Sequence, residues 1–125
     1  MLLNIYVAWI AFIFGIIAGA ISGLKFYAED FLGGYASWRR RLVRLAHISF
    51  FGIGIVNLIF ALTARSLDIT SGLNGASIML AVGAVTMPLV CYLAAFRPPY
   101  RHLFFIPVLA ILTGVIITLV RVISR

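Results

Sequence analysis

Two histidines are the residues of this chain whose type and placement best suit chemistry. His47 and His102 each lie near the beginning of a long apolar run, so we expect both imidazoles near the same end of a helical bundle. Two imidazoles facing each other across apolar helices can ligate a haem iron, and Arg44 and Arg101 at that level suit its propionates. A haem b or a quinone between His47 and His102 is one hypothesis. The other has each imidazole bonded to a carbonyl, a head group or water.

Asn57 is the most costly polar side chain within an apolar run, because an amide in hydrocarbon needs hydrogen-bond partners. We expect a structural hydrogen bond between helices, to Thr86, to Ser22 or to a carbonyl freed by Pro88. The alternative is that Asn57 lines the path of a small channel or transporter.

Met87 and Cys91 form a weaker candidate pair. They are four positions apart, hence on one helical face, and soft sulfur ligands favour Cu(I). Methionine and cysteine are also ordinary packing residues in apolar helices. With no third soft ligand nearby, packing is the preferred interpretation.

The acidic residues argue against several classes of function. Glu29, Asp30 and Asp68 all lie outside the apolar runs, so no intramembrane carboxylate is present for proton- or cation-coupled transport. A small drug exporter has a glutamate in its first helix, which this chain lacks. No carboxylate pair, Ser-His-Asp set or phosphate-binding glycine loop appears. We therefore expect a chain that is not an enzyme by itself.

The elements that carry these residues follow from composition. Of the 125 residues, 64% are hydrophobic and 10% are charged, far less charge than a soluble surface requires. Short connectors between long apolar runs predict an all-α membrane protein, a single domain over 1–125 with four transmembrane helices in an up-down bundle. The predicted spans cover about residues 2–24, 42–64, 76–96 and 102–121.

The basic residues predict the orientation. Seven lie in or beside the first and third connectors, and three lie in the second connector or at the C-terminus. The positive-inside rule then places both termini on the non-cytoplasmic side, and we expect a bacterial cytoplasmic membrane. Aromatic and basic residues together in connector 25–41 predict a short amphipathic helix in the head-group layer. Basic residues at span ends, rather than on one soluble face, argue against nucleic acid as a partner.

Small residues recur at intervals of four on two spans. Residues four apart share a helical face, and small ones let another backbone approach closely in lipid. We interpret these faces as packing within the bundle, with a docking face for another subunit as the alternative. The residues are Gly15, Gly19 and Gly23 on the first span, and Ala110 and Gly114 on the fourth.

Chain length, four spans, a glycine-rich first helix and an asparagine in the second span resemble the small fluoride channels. That family's Thr-Thr-Phe-Ser run is absent from the third span, where residues 83–88 read GAVTMP. The resemblance is confined to length and topology, so no residue role is transferred from it.

The functional expectation is a small accessory subunit of a larger membrane complex, most consistent with a respiratory or electron-transfer complex because of the paired histidines. The alternatives are the haem b or quinone module and the small channel or transporter. The expected partners are the lipid bilayer and other membrane subunits, with a second copy of the chain as a further candidate.

Overall fold

The computed structural model describes residues 1–124; Arg125, one of the basic residues counted above, lies outside them. Within 1–124 the structure is helical and contains no strand. Four helices are long and apolar enough to cross a membrane, which confirms the predicted all-α class. They are α1 (Leu2–Lys25), α2 (Trp38–Ser66), α3 (Asn74–Phe96) and α4 (Phe105–Ile123), with short 3-10 helices at Phe31–Gly33 and Pro98–Phe104.

Neighbouring helices are antiparallel, as their contacts show. Gly15 on α1 lies against Phe51 on α2, whereas Phe12, earlier on α1, lies against Gly54, later on α2. The end of the bundle that holds the N-terminus is called the terminal end, and the opposite end the connector end. The same reversal holds for α2 with α3, at Asn57–Leu80 and Trp38–Ala94, and for α3 with α4, at Gly83–Ile111 and Gly75–Ile117.

Two helices are central and two are outer. α2 and α3 pack extensively on each other; α1 packs mainly on α2 and lightly on α3, and α4 packs mainly on α3. Phe60 of α2 also reaches the core cluster that Ile111 and Ile117 of α4 pack against. Within residues 1–124, α1 and α4 have no substantial packing against each other. The four helices therefore form a rhombus, which leaves open grooves beside the central pair.

The first connector differs from its prediction. Instead of a short amphipathic helix within 25–41, the connector holds only a three-residue 3-10 helix, since α1 continues to Lys25 and α2 begins at Trp38. Gly33 and Gly34 have φ of +84° and +93°, in the left-handed region that glycine adopts without strain. Ser37 then caps α2, because its hydroxyl oxygen accepts a hydrogen bond from the Arg40 backbone N–H at 3.1 Å.

The helix bounds extend beyond the predicted second span. Hydropathy marks the segment that suits hydrocarbon, and α2 extends into polar sequence by four residues before that segment and by two residues after it. The predicted fourth span begins at His102, but that residue lies in the 3-10 helix, and α4 proper begins at Phe105.

Candidate functional site

A cluster of polar side chains is buried at the terminal end between α1, α2 and α3. The Asn4 amide nitrogen donates to the Asn57 side-chain oxygen at 2.8 Å and to the Ser77 backbone oxygen at 3.0 Å. The Ser77 hydroxyl donates to the Asn4 side-chain oxygen. The Asn57 amide nitrogen donates to the backbone oxygens of Ile53, at 2.9 Å, and Leu80, at 3.1 Å. Both amide groups use both N–H donors and at least one acceptor position.

The predicted partners of Asn57 are therefore wrong, although the need for partners in other helices was foreseen. The Thr86 hydroxyl donates to the Val82 backbone oxygen within α3. Asn4 was missed, although an amide two residues into an apolar run is itself the signal that would have found it. Because its donors are all engaged, Asn57 offers no free N–H to a passing ion or solute.

His47 faces α1. A Cβ placed on Gly19 would lie 2.5 Å from His47 Nε2, so this nitrogen is directly against the α1 backbone. The imidazole also packs edge-on against Phe51, with ring centroids 5.5 Å apart. A porphyrin ligated by His47 Nε2 would need the space that α1 occupies.

His102 and the two arginines lie in other surroundings. His102 and Arg101 are exposed in the 3-10 helix that packs on α3 and precedes α4. Arg44 turns to the first connector, where its guanidinium stacks on the Tyr35 ring at 4.3 Å and donates to the Tyr35 backbone oxygen at 3.3 Å. His47 therefore packs against α1, whereas His102 is exposed beside α3, and the contacts of the Arg44 guanidinium are with Tyr35.

Met87 and Cys91 lie beside each other on α3, and Cys91 is fully buried. Among the described residues, no group of three or more His, Cys, Asp and Glu side chains is arranged to hold a metal ion.

The small residues divide into occupied and open positions. Gly15 and Gly19 on α1 receive side chains of α2, Gly114 lies against Leu80 and the Ala76 backbone oxygen, and Ala110 is 7% exposed. The predicted packing stripe on α1 ends at Gly19, because a Cβ on Gly23 would meet nothing within 4 Å. The same open space surrounds Gly52 on α2.

Arg40 holds the connector end together. Although charged, it is only 5% exposed. Its guanidinium donates to the backbone oxygens of Phe26 and Ala28, and more distantly to that of Glu29, and it stacks on the Phe26 ring at 4.5 Å. These carbonyls follow the C-terminus of α1, where the helix dipole favours a cation. Arg40 therefore fixes the connector that covers this end of the helices.

An apolar groove runs between α1 and α3 and is called the α1/α3 groove. It consists of two adjoining cavities, of about 370 Å³ and 420 Å³, which share Phe14, Phe50 and Tyr92. The first cavity extends to Lys25, Phe31 and Leu32 at the connector end; the second extends toward Val7 at the terminal end. Lys25 is the charged residue that lines it.

No protein-family model, curated protein or solved structure matches this chain.

Proposed function

We propose that this chain is a non-catalytic accessory subunit of a larger membrane complex. In this proposal it resides in a bacterial cytoplasmic membrane, with the first and third connectors on the cytoplasmic side. Support comes from Gly52 on α2, which faces away from the other three helices.

The outer face of α2 is apolar and regular. Its residues follow at alternating steps of three and four, and those other than the glycine are 43–60% exposed within the chain. They are Leu45, Ile48, Gly52, Ile55, Ile59 and Leu62, called the α2 outer face.

Gly52 is the informative member of the α2 outer face. Exposed apolar side chains in a membrane helix are satisfied by lipid, so their exposure alone says nothing about partners. A glycine there fills no space and lowers intrinsic helix stability by about 1 kcal/mol relative to alanine. What it permits is the close approach of another backbone, which is how membrane helices associate without a hydrophobic driving force. Inside the chain, Gly15 and Gly19 leave space that side chains of α2 occupy. We infer that the open space at Gly52 is occupied in the same way by a partner helix.

The buried amide cluster and the fold support a scaffold rather than a transporter. The cluster joins three helices and leaves no amide N–H free. A channel lined by Asn57 would need at least one of these bonds to open. The geometry therefore gives the channel hypothesis no support beyond that of the sequence.

The histidines give the electron-transfer version little support. That assignment required His47 and His102 to share a site, and His47 Nε2 faces Gly19 instead. A reduced-minus-oxidised spectrum of the purified chain tests this alternative. A b-type haem band lost in both His47→Ala and His102→Ala would show that the helices rearrange around a haem and would restore the electron-transfer module.

The accessory-subunit proposal is tested by native gel migration of the tagged chain, extracted gently from its own membranes. Gly52→Leu fits within the chain, since nothing lies near this position, but it fills the surface where a partner backbone would approach. We expect wild type to migrate with a complex and Gly52→Leu to migrate as the separate chain. Ala20→Leu, at an exposed position on α1, is the control and should migrate as wild type. Identical migration of wild type and Gly52→Leu would contradict the proposal.

A further inference from the structure

The α1/α3 groove has the length, apolar lining and charge that suit one long hydrocarbon chain with an anionic head group. We propose that it binds a polyprenyl phosphate, with the phosphate at Lys25 and the isoprenoid chain along the groove. This inference is independent of the accessory role, which depends on the opposite surface of α2.

The length of the groove favours a polyprenyl chain over a phospholipid. The lining residues on α1 extend from Val7 to Lys25. At about 1.5 Å per residue, this is about 27 Å. The hydrocarbon core of a bilayer is about 30 Å thick, so one leaflet provides about 15 Å. A phospholipid acyl chain anchored at Lys25 would therefore fill about half of the groove, whereas a long isoprenoid chain can fill it beyond the midplane.

The lining of the groove suits a single extended hydrocarbon chain. Two adjoining cavities, of about 370 Å³ and 420 Å³, form one apolar path along α1. The aromatic side chains of Phe14, Phe50 and Tyr92, which line both cavities, present apolar surfaces along this path.

The charge at the connector end favours phosphate over a neutral head group such as a quinone. Lys25 ends α1 and lines the groove, with its ammonium 5.8 Å from the centre of the Phe31 ring. An ammonium on a flexible stem is a common ligand of phosphate. Phe31 and Leu32 belong to the connector that Arg40 anchors, so this end of the site is held in a defined shape.

The experiment uses the full chain, purified and reconstituted into nanodiscs of phosphatidylcholine with one added lipid. The added lipid is a long-chain polyprenyl monophosphate, phosphatidylglycerol or ubiquinone. Lipid that remains bound after release into detergent is measured by native mass spectrometry. We expect the polyprenyl phosphate to be retained in preference to both others.

Two variants and two matched controls locate the site. Ala18→Leu fills the groove, and Ala20→Leu adds the same volume on the exposed face of α1. Lys25→Gln removes the charge at the groove, and Arg39→Gln removes one exposed charge outside it. Loss of a charge-assisted contact to phosphate should lower retention about tenfold in Lys25→Gln, equivalent to about 1.4 kcal/mol. We expect a similar or larger loss in Ala18→Leu and wild-type retention in both controls.

The other outcomes would overturn the proposal. Equal retention of phosphatidylglycerol would make the site a general anionic-lipid contact, and preferential retention of ubiquinone would make it a quinone site. Absence of retained polyprenyl phosphate, or equal loss in variants and controls, would show that the groove does not select this lipid. None of these results depends on whether Gly52 contacts a partner.

Discussion

The side-chain amide of Asn4 donates a 2.8 Å hydrogen bond to the side-chain oxygen of Asn57, 53 positions later in the sequence. With Ser77, this pair connects the beginning of α1 to the later half of α2 and the first turn of α3. The bonds fix the rotation of the three helices about their axes, since turning any one would leave an amide unpaired in hydrocarbon. That rotation determines which residues face inward and directs Gly52 outward.

The Asn4–Asn57 bond predicts a measurable coupling energy. Asn4→Leu, Asn57→Leu and the double variant form a thermodynamic cycle for the free energy of unfolding in bicelles. We expect each single change to destabilise the chain. We expect the pair to be coupled by about 0.6 to 1.7 kcal/mol, the average and the largest values found for hydrogen bonds between membrane helices. Asn74→Leu, at an exposed position at the beginning of α3, is the control and should change stability much less. If the two changes in unfolding free energy simply add in the double variant, Asn4 and Asn57 are not hydrogen-bonded to each other.

The close packing at Gly114 predicts an effect of substitution on the free energy of unfolding. A Cβ there would lie 2.7 Å from Leu80 Cγ and 3.3 Å from the Ala76 backbone oxygen, and Leu80 is only 1% exposed. Overpacking of this kind costs about 1–3 kcal/mol, so Gly114→Ala should lower the unfolding free energy by that amount. Gly23→Ala adds the same methyl group into open space. It should be neutral or slightly stabilising; equal destabilisation by the two changes would show that helix α4 does not pack at Gly114 as described.

The fold class was predictable because it depends on composition. Four apolar runs with short connectors specify four long helices whatever their neighbours are. The need of Asn57 for partners in other helices was predictable for the same reason, since an amide in hydrocarbon is costly wherever it lies.

The pairing of side chains was not predictable, because a run that is apolar on every side carries no periodic signal of its inward face. Asn57 marks an inward side of the second span, but nothing in that span specifies that Asn4 lies opposite Asn57 or that Gly19 lies opposite His47. The rhombic arrangement was equally hidden, because short connectors make successive helices neighbours but do not determine where α4 lies relative to α1. The sequence likewise predicts His47 and His102 at one end of the bundle but does not specify that His47 Nε2 lies against Gly19.

The hydrogen bonds of Arg40 predict that the backbone of the first connector is rigid. The Arg40 guanidinium donates to three backbone oxygens within residues 26–29 through directed N–H groups, which lysine cannot reproduce with a single ammonium. Arg40→Lys should therefore increase hydrogen–deuterium exchange of the backbone over residues 26–36. Arg39→Lys, at the exposed neighbouring position, should leave that exchange unchanged. Unaltered exchange in both variants would show that the connector is held by other contacts.

The contact between His47 and Gly19 predicts a coupling that a haem or interfacial histidine would not show. Gly19→Ala places a methyl group against His47 Nε2, so the imidazole must move. We expect Gly19→Ala to destabilise the wild-type chain and to be better tolerated when His47→Ala is also present. Thermal unfolding of the two single variants and the double variant measures this. Equal effects of Gly19→Ala in both backgrounds would place His47 away from α1.

A photo-crosslinking amino acid, placed at single positions of the chain in the native membrane, shows whether α2 carries a docking face for another subunit. Ile55 lies one turn from Gly52 on the α2 outer face and is 47% exposed, and Leu112 on α4 is 51% exposed and serves as the control. We predict that the probe at Ile55 forms a discrete adduct with a different membrane polypeptide, that Gly52→Leu abolishes it, and that the probe at Leu112 forms none. Reaction with lipid alone at both positions, or an adduct of this chain with its own second copy, would contradict the accessory-subunit assignment.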